Sequence, residues 1–287
     1  MNDQAESLRL KLIAQENRTN TKAIAVVSGK GGVGKSNFSL NFSLSLCKSG
    51  SSVLLIDMDI GMGNIDILMG KTSAKSIVDY LSGEAHLRDV VLDGGGLKYI
   101  AGGSGLSQLV KMEEKQVAIL IGELHTLLEA YDFVIFDMGA GINEESLKFL
   151  LSVDEIFVVT TPEPTSLMDA YATMKYLHLV NPSLPFYLIA NKAESIKEGR
   201  ETLQRLGNVL KRFLDREAAS LGILPEDRSL QQAVARQIPF LDFNPKSPAS
   251  RAMLEITEQY KQSSVPEIPS SSSISFVSKL KKFLFER

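Results

Sequence analysis

The sequence predicts an α/β fold with a mostly parallel central sheet flanked by helices on both faces. Three observations predict it. Short apolar, strand-like runs alternate with longer helical patterns from residue 23 to residue 262, the order that crossover helices on a parallel sheet produce. The first run, Ile24-Ala25-Val26-Val27, feeds a glycine-rich loop that ends in Lys35-Ser36, a strand–loop–helix unit. Two later runs end in aspartates, which a parallel topology carries to the same sheet edge as that loop.

In chain order, residues 1–22 open with an amphipathic stretch, Asp3 to Ala14. Ala5, Leu8 and Leu12 lie there at helical spacing with Ile13 beside them. The polar piece Asn17 to Thr21 separates it from the body, residues 23–262. Strands are expected at 23–28, 53–57, 97–101, 132–137, 155–160, 185–190 and 221–224. Helices are expected at 35–49, 113–130, 143–151, 166–180, 196–220 and 249–262. Residues 263–273 form a Pro/Ser linker with little to bury. In 274–287, Phe276, Val277, Leu280, Phe283 and Leu284 follow the i, i+1, i+4, i+7, i+8 pattern of one helix face. Lys279, Lys281, Lys282 and Arg287 flank it against one acid, Glu286. A basic amphipathic helix on a leash reads as an anchor on an anionic membrane surface; a helix docked on the protein itself is the plainer alternative.

Composition removes several classes. A length of 287 residues suits one large α/β domain with tails. The single cysteine, Cys47, allows no intramolecular disulfide and no multi-cysteine iron–sulfur site. His86, His125 and His178 are scattered without metal-ligand spacing. A net charge of −3 makes no global case for nucleic acid, so no specific nucleic acid is expected. Lys246, Arg251 and Lys261 read as a solvated helix face. The polar N-terminus and the lack of a bilayer-length apolar run point to a cytoplasmic protein, peripheral on the inner membrane face through its tail.

The chemistry gathers at the strand tips. Gly29-x-x-x-x-Gly34-Lys35-Ser36 satisfies the phosphate-binding P-loop pattern. Gly31, Gly32 and Gly34 let backbone N–H groups turn inward, and the next helix adds the positive end of its dipole. Residues Gly29, Lys30, Gly31, Gly32, Val33, Gly34, Lys35, Ser36 and Asn37 are therefore expected to wrap the phosphates of ATP or ADP. Lys35 is expected on the terminal phosphates and the Ser36 hydroxyl on Mg²⁺. The second strand ends VLLIDMD, which brings Asp57 and Asp59 to the same edge; FVIFD ends in Asp137 there too. Three carboxylates beside a phosphate loop need a counter-charge, which Mg²⁺ supplies. Ser36, Asp57 and Asp137 are the expected metal set, and Asp59 the residue that orients the attacking water. Each aspartate alone fits a helix cap equally well.

Lys30, inside the loop, is not required by an ordinary P-loop. The form Lys30-Gly31-Gly32-x-Gly34-Lys35-Ser36 resembles the deviant P-loop of the MinD/ParA ATPases. Asp57 to Asp66, DMDIGMGNID, is similar to that family's switch I. FDMGAG (Phe136 to Gly141) falls at switch II, with Met138-Gly139 where a hydroxyl residue and proline are usual. Thr160 to Ala170 resembles the NPE-type segment. The resemblance implies that Asn191 reads adenine and that Pro225-Glu226-Asp227 packs on the base. It also implies that Lys30 crosses to a second copy's phosphates, so that ATP holds a homodimer and Lys30, Lys35 and Asp59 carry hydrolysis. Asp3-Gln4-Ala5-x-x-Leu8-Arg9 resembles the N-terminal motif of the FlhG family of flagellar regulators. That implies a GTPase partner, FlhF, contacted through Asp3, Gln4, Ala5, Leu8 and Arg9, together with flagellar switch-complex proteins. The alternatives are a MinD-type division-site regulator and a ParA-type DNA-partitioning ATPase.

Overall fold

The computed structural model describes residues 21–59, 63–71, 75, 79–80, 82–102, 114–263 and 276–285. The motif at Asp3, Gln4, Ala5, Leu8 and Arg9 and the linker from residue 264 lie outside the described residues. The strands are β1 (Lys22–Val27), β2 (Val53–Met58), β3 (Val91–Asp93), β4 (Lys98–Ile100), β5 (Phe133–Met138), β6 (Glu155–Thr160), β7 (Phe186–Ala193) and β8 (Ala219–Pro225). The helices are α1 (Lys35–Lys48), α2 (Ile65–Leu68), α3 (Glu114–Leu128), α4 (Glu144–Ser152), α5 (Pro164–Val180), α6 (Ile196–Leu214), α7 (Arg228–Ala235), α8 (Phe240–Phe243), α9 (Pro248–Ser263) and α10 (Phe276–Phe285).

The eight strands form one sheet in the order β3-β4-β2-β5-β1-β6-β7-β8. Every pairing is parallel except β3 with β4. Side-chain alternation splits each central strand between two cores. Ala23, Ala25 and Val27 of β1 join Val134 and Phe136 of β5 on one face, under α3 to α6 and α10. Ile24 and Val26 join Ile135, Phe157 and Val159 on the other, under α1 and α7 to α9. Both faces being covered, the middles of the central strands are runs of apolar residues rather than alternations, with polar residues such as Asp57, Asp137 and Glu155 at or near the strand ends. The expected fold class is what the chain adopts.

Three details differ from expectation. The helix expected to run to residue 220 stops at Leu214, because Asp215 takes a left-handed conformation (φ 47°) and caps it. Arg216 then fastens the turn by donating to the carbonyls of Pro182 and Leu184, and β8 starts at Ala219. β3 adds an antiparallel edge that its three residues could not announce. α7 begins at Arg228 behind an Asp227 N-cap, whose carboxylate accepts the Ser229 N–H at 2.8 Å.

The basic C-terminal helix is docked on the body. Phe276, Val277 and Leu280 of α10 are buried in the first core, against α3 and α4. The Phe276 ring packs on Phe136 with centroids 4.8 Å apart. Lys279 Nζ donates to Asp154 Oδ1 at 2.8 Å, while the other Asp154 oxygen accepts the Ala23 N–H of β1. Phe283 remains 37% exposed.

Candidate nucleotide site

The loop between β1 and α1 lies at the C-terminal edge of the sheet. Gly34 occupies the N-cap position of α1 at φ 91° and offers no side chain to cap it. The first backbone N–H groups of a 14-residue helix therefore face outward, a cradle for an anion. Gly29 must be glycine for a packing reason: a Cβ there would meet the Asp169 backbone of α5 at 2.1 Å. At Gly34 an added Cβ would meet Asn191 Nδ2 at 2.3 Å.

Asn191, at the end of β7, is built into the loop. Its Nδ2 donates to the Val33 carbonyl at 2.7 Å, and its Oδ1 accepts the Lys192 N–H at 2.9 Å. Lys192 has a left-handed backbone (φ 57°) and donates from Nζ to the Gly32 carbonyl at 2.7 Å. Sequence reasoning gave Lys192 no role of its own.

The buried charges sit beneath this cradle. Lys35 Nζ pairs with Asp137 Oδ1 at 2.8 Å, and the two side chains are 8% and 0% exposed. Ser39 Oγ donates to the same oxygen at 2.7 Å. Asp137 Oδ2 is buried with no hydrogen-bond partner. Asp57 stands beside Asp137 in the β2–β5 register. Its Oδ1 accepts the Asp59 N–H at 3.0 Å, and its Oδ2 accepts those of Asn64 and Ile65 at 2.8 and 3.2 Å. Burial pushes the Asp57 carboxyl up to about 6; the Asp137 charge adds to the rise, and the three backbone donors oppose it.

A buried carboxylate with one oxygen on a lysine, the other orphaned, and a second carboxylate beside it in register suits a divalent cation that shares phosphate ligands. Among the described residues no group of three His, Cys, Asp or Glu side chains forms a metal cage by itself. The residues thus fit Mg²⁺ carried in on a nucleotide. Asp137 through Oδ2 and Ser36 through its hydroxyl would hold it. Asp57 accepts with both oxygens from the backbone, so its visible work is to anchor Asp59, Asn64 and Ile65. Asp59 lies against switch II: a Cβ on Gly139 would sit 3.5 Å from its Oδ1.

The Asp57 shift has a pH consequence. A carboxyl that titrates near 6 when folded and about 4 when unfolded favours the fold in its protonated form. Its contribution is greatest below pH 4 and is lost as the pH rises through 6, a change of about 3 kcal/mol. Thermal melts in EDTA at pH 5 and pH 7 should show this loss in the wild type and a smaller one in Asp57→Asn. Equal pH dependence in both proteins would contradict it.

Lys30 lies apart from this buried cluster. Its Nζ pairs with Glu163, at the N-cap of α5, and donates to Thr165 Oγ1 at 3.2 Å. Lys30, then Lys192, holds the exposed Glu163 carboxyl below the usual range. Glu163, 133 residues away in sequence, was not foreseen as its partner. Asp227, expected on the base, uses both oxygens as caps, for Ser229 and for Ala249 of α9. It organises the Pro225-Glu226-Asp227 loop.

A glycine loop on a helix N-terminus, a lysine on a strand-tip aspartate and a parallel sheet define a P-loop nucleoside triphosphatase, with a second loop lysine. A family model described as "ParA: NUBPL iron-transfer P-loop NTPase" matches residues 19–261. The antiactivator FleN of Pseudomonas aeruginosa is 35% identical over 260 residues, 90% of this chain and 93% of its own. The flagellum site-determining protein YlxH of Helicobacter pylori is 34% identical over 286 residues, 94% of this chain and 92% of its own. The MinC:MinD cell division complex of Aquifex aeolicus matches in structure with TM-score 0.70 and 25% identity, over 86% of this chain and 98% of that one. The chain belongs to the MinD/ParA family of P-loop ATPases, in the FlhG branch that includes FleN and YlxH. The iron-transfer part of the model's description finds no support in the cysteine content. Cys47 stands alone, and burial pushes its thiol up to about 11.

Proposed function

We propose that the chain is a Mg²⁺-dependent ATPase that dimerises around ATP, associates with the membrane through α10, and regulates flagellar number and placement. Its relatives FleN and YlxH are named for flagellar antiactivation and site determination. Bound Mg²⁺ neutralises phosphate charge; the chain's own groups do the rest. The α1 N-terminus and Lys35 hold the phosphates, and Asp137 and Ser36 hold the cation. Asp59 orients water from its place beside Gly139. Lys30, released from Glu163, reaches the second copy's phosphates.

The observation that carries the switching part of this reading is the place of α10. Phe276 packs on Phe136, the residue before Asp137, and α10 rests on α4, which follows switch II. A shift of switch II around a γ-phosphate would disturb the groove that buries the tail. No described helix is long and apolar enough to cross a membrane, so a released α10 would lie on the lipid surface. Its apolar side chains contribute about 1.5–3 kcal/mol each, and each lysine near anionic lipid about 1 kcal/mol. Ordering the tail costs about 1–2 kcal/mol per residue, which leaves one tail marginal and two tails on one dimer effective.

Flotation with vesicles containing phosphatidylglycerol tests this. More protein should float with ATP than with ADP, and a chain ending at Ser273 should float with neither. Equal flotation in the two nucleotides refutes the coupling. Asp154→Asn weakens the tie to Lys279 and should raise flotation in ADP; flotation unchanged from wild type would remove that contact from the account.

Residues 1–22 are the proposed activator of the GTPase FlhF, through Asp3, Gln4, Ala5, Leu8 and Arg9. A synthetic peptide of these residues should accelerate GTP hydrolysis by FlhF, and one with Gln4→Ala and Arg9→Ala should not. No acceleration by the unaltered peptide rejects this role.

A further inference from the structure

Ser39 is a buried hydroxyl that the P-loop pattern does not include. It follows Ser36 by one turn of α1 and is 0% exposed. Its Oγ lies 2.7 Å from Asp137 Oδ1 and 3.1 Å from the Lys35 carbonyl four residues back. A hydroxyl carries one proton, so it donates to one of them at a time. A helical serine ordinarily gives that proton to the carbonyl four residues earlier. Ser43 does so, at 2.7 Å from the Ser39 carbonyl. In Ser39 the order is reversed: the carboxylate is nearer than the carbonyl, and a charged acceptor is the stronger one.

Asp137 thus receives both its donors, Lys35 and Ser39, on Oδ1, while Oδ2 is buried and bare. Lys35 has three N–H donors to divide between Asp137 and a phosphate, and a phosphate competes for them. Ser39, buried beneath, is the side chain whose hold on Oδ1 a nucleotide does not contest. We propose that Ser39 is a positioning residue for Asp137: by pinning one oxygen it keeps the other aimed at the cation that arrives with the nucleotide. This rests on the nucleotide-site reading above. Ser36 and Ser39 then divide the work, the first as a ligand and the second as the brace of a ligand.

Outer hydrogen-bond partners of this kind are worth about 10–100-fold in metal affinity. The experiment titrates Mg²⁺ into the full-length protein with fluorescent mant-ADP and repeats the titration in EDTA. A Mn²⁺ titration of the ADP complex by electron paramagnetic resonance gives a readout independent of turnover. Ser39→Ala should bind mant-ADP in EDTA as wild type does, yet need about tenfold more Mg²⁺ or Mn²⁺ to reach its midpoint. Ser39→Thr, which keeps the hydroxyl, should restore that midpoint. Ser39→Cys, close in size with a weak donor, should resemble the alanine variant and guards against a folding defect in it. Equal metal midpoints in wild type and Ser39→Ala overturn the proposal, as does an equal loss of metal-free nucleotide affinity in all three variants. Failure of the wild type to bind mant-ADP at all would instead remove the nucleotide site, and this role with it.

Discussion

Replacing Lys30 with alanine should leave ATP bound, abolish ATP-dependent pairing of subunits and slow hydrolysis by about 10³–10⁵-fold, the range for a cation supplied in trans. Geometry gives the reason for the split. Lys30 takes no part in its own subunit's buried cluster; its Nζ lies with Glu163 and Thr165 at the start of α5. What the loop needs from residue 30 is its carbonyl, which accepts from Ser28 Oγ at 3.0 Å. Alanine keeps that carbonyl, so the cradle for phosphate should survive. The lost group is the exposed cation, which Glu163 holds within the same chain and which a second copy's phosphates would draw away. Titration with mant-ATP and phosphate-release assays measure the two halves. A variant that hydrolyses ATP at the wild-type rate would deprive Lys30 of its role.

Lys35→Ala should cost both nucleotide binding and stability. The Lys35–Asp137 pair is buried, and removing one member of such a pair costs about 3–5 kcal/mol because the other charge stays behind. Ser39 still donates to Asp137, which places the loss towards the lower end. Adding Asp137→Asn removes the stranded charge, so the double variant should regain much of its stability while still failing to bind ATP. Urea unfolding and nucleotide titration of the three variants separate the two effects. If Lys35→Ala unfolds at the wild-type urea midpoint, the pair contributes little to the fold.

The sequence disclosed the parts of the molecule that local chemistry decides. β1, the glycine loop and α1 were legible because an apolar run, Gly34 and Lys35-Ser36 each fix a local geometry that needs nothing distant. The strand-tip aspartates were legible for the same reason, since a parallel topology leaves them one edge to occupy. What local chemistry does not decide was missed. β3 and α8 are three and four residues long, too short for periodicity to speak. Ser39 and Asp137 meet across 98 residues, and Lys30 and Glu163 across 133. Asp57, expected in the metal set, was not foreseen as the acceptor on which the backbone N–H groups of Asp59, Asn64 and Ile65 converge.

The tail shows the limit most plainly. Phe276, Val277 and Leu280 form an apolar face that suits lipid and a protein groove equally, and the groove between α3 and α4 exists only once the chain has folded. Under the proposed function that face would serve lipid and groove in turn, and a switch would follow because whichever surface binds it excludes the other.

The proposed switch depends on two copies closing around ATP. Sedimentation of the full-length protein with saturating Mg-ATP and with Mg-ADP tests that claim most directly. The account predicts twice the monomer mass with ATP and the monomer mass with ADP. A single subunit in both nucleotides would contradict it.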